Sequence, residues 1–352
     1  MRKGYQGFLA AGLLGTGLIL ANVQNAAAEG TPEKYTKTDF VMDTVLTEAV
    51  YTTGEDPTSE IADILRDTEE NCISWTKKDS DVSRINECSG DETQTTEKTA
   101  EYLKKILKLA EDTNGAFDPT MGKIIRLWDV SGENPHVPEK ESILELLENT
   151  GFEKISLQGK NVRLEKGTTL DLGAVGKGIG CDEAAEFLKT QKDVAGAIVT
   201  LGGSSVMTYG QKPDGSDWQV AVTDPRDTQG DYLGVISLSG TEFLSTSGDY
   251  EKFFIEDGIR YHHIMDPATG YPVQNGLTSV TVVCDSGLYA DGLSTACFVL
   301  GMENSLSVLK EYDAEALFVY EDHSVYATEG MQERFQYLKD GYEMKTEEIH
   351  GK

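Results

Sequence analysis

The sequence predicts an α+β fold with mixed or antiparallel sheets and helices packed on them. Three observations carry this. Helical spacing of apolar residues dominates early, at 58–76, 96–113 and 139–150. Short β-like runs dominate later, at 154–157, 161–164, 168–172, 195–201, 219–223, 234–238, 242–246, 260–264 and 277–283. Only three helical segments interrupt or follow those runs, at 181–191, 290–300 and 302–312, so a regular βαβ alternation is excluded.

Taken in order, 29–39 is polar and reads as a flexible lead-in, and 40–51 alternates as a strand. The helix at 58–76 is spaced through Ile61, Ile64, Leu65 and Cys72. Residues 80–86 are polar. The helix at 96–113 is amphipathic through Tyr102, Leu103, Ile106, Leu107 and Ala110. Residues 115–119 punctuate, 124–128 is apolar, 131–138 is a loop, and Gly151 stops the helix at 139–150. No internal repeat shows, and no linker rich in Pro, Gly or Ser divides the 352 residues. The expected organisation is a targeting segment at 1–28, the lead-in, and one domain over 40–345.

The targeting segment has a basic start (Arg2, Lys3), an apolar run over 8–23, and Ala26-Ala27-Ala28 as small residues for cleavage. It predicts export from the cytoplasm, with an uncleaved anchor as the alternative. No cysteine follows the apolar run to carry a lipid. Cleavage would take the net charge from −29 to −31. Such acidity argues against nucleic acid and anionic membrane as partners, and an anionic ligand would need local cationic groups or a metal. The five cysteines (Cys72, Cys88, Cys181, Cys284 and Cys297) have no zinc-type spacing. Cys181, Cys284 and Cys297 read as core filler, and Cys72 could pair with Cys88.

Residues 171–180 read Asp-Leu-Gly-Ala-Val-Gly-Lys-Gly-Ile-Gly. The pattern predicts a strand at 168–172, a glycine turn, and a helix starting near Cys181. It is not a Walker A loop, because Asp171 occupies the first glycine position and Gly178 follows Lys177. It is not a dinucleotide fingerprint, because Cys181 stands where the third glycine belongs. It either approaches a phosphate or simply turns the chain.

Asp291 and Thr295, four apart in Ala290-Asp-Gly-Leu-Ser-Thr-Ala296, share a helix face. They offer hard oxygens to a magnesium-like ion, or an N-cap with a buried threonine. His262 and His263 alternate faces of a strand before the turn Asp266-Pro-Ala-Thr-Gly270; a general base or a structural pair both fit. The hydroxyls of 245–250 and 202–205 hold phosphate or cap turns. Phe117, in Gly115-Ala-Phe-Asp-Pro-Thr120, packs on a planar ring or on the core.

In this order the motifs resemble one family. Their carriers are Met42-Asp-Thr44, Asp79-Ser-Asp-Val-Ser-Arg-Ile-Asn86, 115–120, 171–180, Leu201-Gly-Gly203, 245–250, 263–272 and 290–296. From about residue 40 to 336 the chain resembles the ApbE flavin transferases, FAD:protein FMN transferases. The resemblance implies an enzyme that binds FAD and Mg²⁺, moves FMN onto a Ser or Thr of another protein, and releases AMP. The acceptor would be a redox protein bearing a Ser/Thr-Gly-Ala-Thr-like sequence, which this chain lacks. It implies metal ligands at Asp291, Thr295 and the Ala174 carbonyl. FAD would be held by Asp171 and Lys177, with Met42, Thr76, Ala116, Phe117, Asp118 and Ile264 lining its site. His263 would deprotonate the acceptor hydroxyl. Asp43 and Ala174 stand where many members have glycine. A FAD pyrophosphatase and a non-catalytic FAD-binding protein are the alternatives; the second should lack the metal ligands, which are present.

Overall fold

The computed structural model describes residues 30–227 and 229–345; the expected targeting segment at 1–28 lies outside them. The chain opens with a hairpin of β1 (Glu33–Val41) and β2 (Thr44–Thr52). Helix α1 (Thr58–Thr68) continues into a π-helical turn, Glu69–Ile73. Next come α2 (Asp81–Glu87), β3 (Glu92–Gln94), α3 (Glu97–Asp112), α4 (Gly122–Trp128), α5 (Lys140–Leu147), β4 (Ile155–Gln158) and β5 (Asn161–Leu164). Helix α6 (Gly176–Thr190) leads to β6 (Val194–Leu201), β7 (Ser205–Gly210), β8 (Trp218–Thr223), β9 (Tyr232–Leu238) and β10 (Phe243–Gly248). A small hairpin, β11 (Phe253–Glu256) and β12 (Ile259–His262), precedes β13 (Leu277–Cys284), α7 (Gly287–Leu300) and α8 (Met302–Glu311). The chain then forms β14 (Glu315–Tyr320), β15 (Ser324–Ala327), α9 (Glu329–Arg334), β16 (Phe335–Gln336) and β17 (Glu343–Met344).

Nine strands form one sheet in the order β1-β2-β6-β7-β10-β13-β14-β15-β17, antiparallel except for the last pair. The main core fills one side, with α1, α3, α6 and α7 supplying apolar faces. A three-stranded sheet, β16-β9-β8, joins the other side through Trp218, Leu233, Ile236 and Leu238 against Val206, Leu244 and Val283. Strand β13 is buried at every position because both faces are covered, its Thr278, Ser279 and Thr281 included. Helix α3 starts where Thr96 Oγ1 accepts the Thr99 N–H, and it buries Leu103, Ile106 and Leu109 fully. Each of those three contributes ~1.5–3 kcal/mol. The fold is α+β, as expected.

Several local expectations change. The lead-in becomes strand β1 from Glu33, and 40–51 is a hairpin rather than one strand. Its two-residue turn, Met42-Asp43, has φ of 56° and 54°. Those are the values of a type I′ turn, which usually recruits Asn-Gly, so the sequence hides the turn. The helix at 58–76 ends in the π turn, and Ser80 caps a helix where 80–86 read only as polar, its Oγ accepting the Ser83 N–H.

Residues 168–172 form no ladder. The side-chain amide of Asn86 takes the place of a strand neighbour, accepting the Leu170 N–H at 2.7 Å and donating to its carbonyl at 2.9 Å. Helix α6 starts at Gly176, not Cys181, so the last glycines of 171–180 are helical. All five cysteines are free, with Cys72 buried and Cys88 exposed.

Candidate active site

The site is built where the start of α6 meets α7. Asp291 is 5 % exposed and sits in the second turn of α7, not at its cap. Its Oδ2 accepts the Gly178 N–H at 2.9 Å. Gly178 lies in the first turn of α6, after the N-cap Val175, where backbone N–H groups have no acceptor within the helix. Helical bonding begins, as the N-cap at Val175 requires, with Ile179 N–H to the Val175 carbonyl at 2.9 Å. The Ala174 carbonyl, just outside the helix, receives no backbone donor among the described residues. Asp291 Oδ1 accepts from Ser205 Oγ at 3.4 Å, and Ser205 accepts from Ser245 at 3.2 Å. Burial pushes the Asp291 carboxyl up, opposed by the nearby Lys177 charge and the Gly178 N–H.

Thr295, one turn along α7, lies 3.3 Å from Ser247 Oγ of β10, and Ser247 lies 2.8 Å from Ser294 Oγ. Ser294 in turn donates to the Asp291 carbonyl at 2.8 Å. Strand β10 thus ties both oxygen donors of α7 to the sheet. Lys177 Nζ, half-buried in the first turn of α6, donates to Ser204 Oγ of the 202–205 turn.

Upstream of Ala174, Asp171 is fixed on three sides. Its N–H donates to the Pro119 carbonyl at 2.8 Å, Oδ1 accepts from Gly173 N–H at 2.9 Å, and Oδ2 accepts from Arg126 at 3.1 Å. The Pro119 bond brings the half-buried Ala116 and Asp118 segment beside this turn. Asp118 accepts from Thr120 N–H and Oγ1 at 2.8 and 2.6 Å; burial still pushes its carboxyl up.

Other expected residues are placed differently. The Phe117 side chain is buried in the main core near Gly292 of α7. The Ile264 side chain is also core. Met42 lies over Gly180 of α6 and is anchored by its N–H to Glu69 Oε2 at 2.8 Å. Thr76 is exposed and lies 3.0 Å from Ser74 Oγ, inside its own loop.

The two histidines do face differently. His262 is 2 % exposed, with Nε2 at 2.8 Å from the Val273 carbonyl. His263 is half-buried, with Nδ1 at 3.4 Å from the Lys252 carbonyl. Loss of water, then the charge on Lys252, hold His263 down to about 3, so its ring is neutral. With Nδ1 assigned as the donor, Nε2 is left as the basic nitrogen.

Sequence reasoning missed Gly178, Arg126 and Glu69 as supports, and left Ser205 and Ser247 as members of ambiguous turns. Only the placement of Gly178 inside the motif gave any signal. No group of three His, Cys, Asp or Glu side chains forms a metal cage among the described residues. The oxygen set here holds one carboxylate, one hydroxyl and one carbonyl.

The ApbE family profile matches residues 42–318. The FAD:protein FMN transferase of Treponema pallidum is 31 % identical over 343 residues, covering 91 % of this chain and 94 % of that protein. The FAD:protein FMN transferase of Escherichia coli K12 is 30 % identical over 262 residues, 72 % of this chain and 73 % of that one. The crystal structure of the ApbE protein of Thermotoga maritima superposes with a TM-score of 0.79 at 31 % identity, covering 87 % of this chain and all of that one. The apo flavinyl transferase ApbE of Pseudomonas stutzeri gives 0.76 at 30 %, covering 87 % and 98 %. Family profile, relatives and fold agree, and the chain belongs to the ApbE family.

Proposed function

We propose that this protein transfers FMN from FAD to a Ser or Thr hydroxyl of a second, exported protein, with Mg²⁺ bound at Asp291, Thr295 and the Ala174 carbonyl. The observation that carries the reading is the contact between α7 and the start of α6. The buried Asp291 carboxylate takes the Gly178 N–H, and the Ala174 carbonyl, which precedes that turn, receives no backbone donor among the described residues. A hard cation fits such oxygens, and Mg²⁺ commonly uses one or two carboxylates and completes its shell with water and substrate phosphate. Bound there, the ion would supply Lewis acidity at the FAD diphosphate.

This chain's residues do the rest. Lys177 adds local positive charge in a protein of net charge −29, where the overall field repels a diphosphate. The Asp171 turn and the 116–118 backbone form the nucleotide's wall. His263 Nε2 takes the proton of the acceptor hydroxyl. The acceptor oxygen bonds to the FMN phosphorus as the bond to the AMP oxygen breaks, and the proton leaves with AMP or solvent. Transfer of this kind depends on positioning and charge neutralisation more than on covalent help. The segment 1–28 directs the protein outside the cytoplasm, where its acceptor would carry a Ser/Thr-Gly-Ala-Thr-like sequence.

Asp291→Ala tests the assignment. Transfer should be lost while FAD binding, followed by flavin fluorescence, persists. A variant that transfers at the unaltered rate would refute the metal site.

A further inference from the structure

Helices α6 and α7 exchange carboxylates. Asp291 of α7 accepts from Gly178 in the first turn of α6. In return, Asp182 of α6 accepts the Gly287 N–H at 2.6 Å, the Leu288 N–H at 2.9 Å and the Ser286 hydroxyl at 3.2 Å. Each aspartate lies four residues beyond the glycine of its own helix, Gly178 or Gly287. Between them the two backbones touch. A Cβ on Gly178 would lie 2.0 Å from the Gly287 carbonyl oxygen, and one on Gly287 would lie 2.2 Å from that of Gly178. The arrangement is a local twofold that the sequence does not show as a repeat.

The two halves differ in how closely they hold. Asp182 meets three donors at the start of α7, whose own N-cap residue, Ser286, supplies no side-chain bond to the helix. A helix N-terminus has unpaired N–H groups and a positive dipole end, so a carboxylate from another helix satisfies both. Asp291 meets the Gly178 amide at 2.9 Å, the neighbouring Lys177 amide, and one hydroxyl at 3.4 Å. The Asp182 contacts, at 2.6, 2.9 and 3.2 Å, are the closer set, so the Asp182 side is the tighter clamp of the two. Sliding α7 by one residue moves its side chains ~1.5 Å along the axis. Mg²⁺ tolerates little departure from ligand distances of about 2.0–2.1 Å.

We propose that Asp182 is the positioning residue of the metal site. By clamping Gly287 and Leu288 it sets the axial place of α7, and so brings Asp291 and Thr295 to the Ala174 carbonyl. This rests on the metal reading given above.

The test is Mn²⁺ binding by the folded full-length protein, read as loss of the free-ion EPR signal, because Mn²⁺ suits the same oxygen ligands as Mg²⁺. Asp182→Asn should weaken Mn²⁺ binding about 10-fold or more, as loss of an orienting partner commonly does. FAD binding measured without metal should change less than about two-fold. Ser286→Ala removes the longest of the three bonds and should cost about two- to five-fold, at near wild-type melting temperature. Wild-type affinity in a folded Asp182→Asn protein overturns the proposal. If that variant does not fold, unchanged Mn²⁺ affinity in Ser286→Ala overturns it. A wild-type protein that binds no Mn²⁺ removes the metal reading itself, a different failure from loss of the Asp182 role.

Discussion

Glu48 gives a quantitative test that lies outside the catalytic chemistry. It points inward from β2 at 1 % exposure, and neither carboxylate oxygen has a hydrogen-bond partner. Lys37 stands opposite it on β1, but its ammonium turns to Ser59 Oγ at 3.2 Å and to Asp39 at 3.7 Å. Val199 flanks Glu48 on the other side. Burial therefore raises its carboxyl from 4.5 to about 8, only partly offset by Lys37. The folded protein keeps the proton over a range in which the unfolded chain has lost it. The stabilisation is complete below about pH 4.5 and is lost as pH rises through about 8. At 1.36 kcal/mol per pH decade, the full swing is at most about 5 kcal/mol. Glu48→Gln removes the proton equilibrium while keeping the shape. Urea unfolding of both proteins from pH 4.5 to 9 should show the wild type losing stability relative to the variant by several kcal/mol, then a constant difference above about pH 8.5. Parallel pH profiles would mean that Glu48 is ionised or solvated in the folded protein, and the burial argument fails.

Other predictions concern the site and its frame. His263→Ala should slow transfer on the order of 10²–10⁴-fold. Because the free enzyme holds His263 down to about 3, kcat/KM should stay flat between about pH 5 and 7. A fall centred near the ordinary histidine value would contradict that. Gly178→Ala drives a methyl into the Gly287 carbonyl at 2.0 Å and should destabilise by about 3 kcal/mol or more, seen as a lower urea midpoint. Asp43→Gly relieves a left-handed residue at φ 54° and should raise stability by about 1 kcal/mol; a loss would show that the Asp43 side chain contributes a stabilising contact.

Most of the architecture was legible because its signals are local. Tyr102, Leu103 and Ile106 fall at helical spacing and form the buried face of α3, and the strand at 161–164 has its expected ends. The failures have physical causes. Met42-Asp43 turns the chain without glycine, so 40–51 reads as one strand and the first arm of the hairpin as lead-in. The 168–172 run has strand composition, yet Asn86 takes its backbone bonds. Glycines at 176, 178 and 180 read as a turn because propensity disfavours them in helices; in α6, Gly178 instead admits the backbone of Gly287 and Gly180 admits Met42. Motif strings name the candidate site residues, such as Asp171, Lys177 and Asp291. Residues that only support them, such as Glu69 on Met42 and Asp182 on α7, have no spacing that marks them, because their partners lie far along the chain.

The most direct measurement of the central claim is the mass of an acceptor protein bearing a Ser/Thr-Gly-Ala-Thr-like sequence, after incubation with this protein, FAD and Mg²⁺. The account predicts an acceptor heavier by FMN less water, a flavin that survives denaturation, and one AMP released per flavin attached. The Asp291→Ala protein should give none of these. AMP and free FMN appearing with no change in acceptor mass, across acceptors of that sequence class, would contradict it.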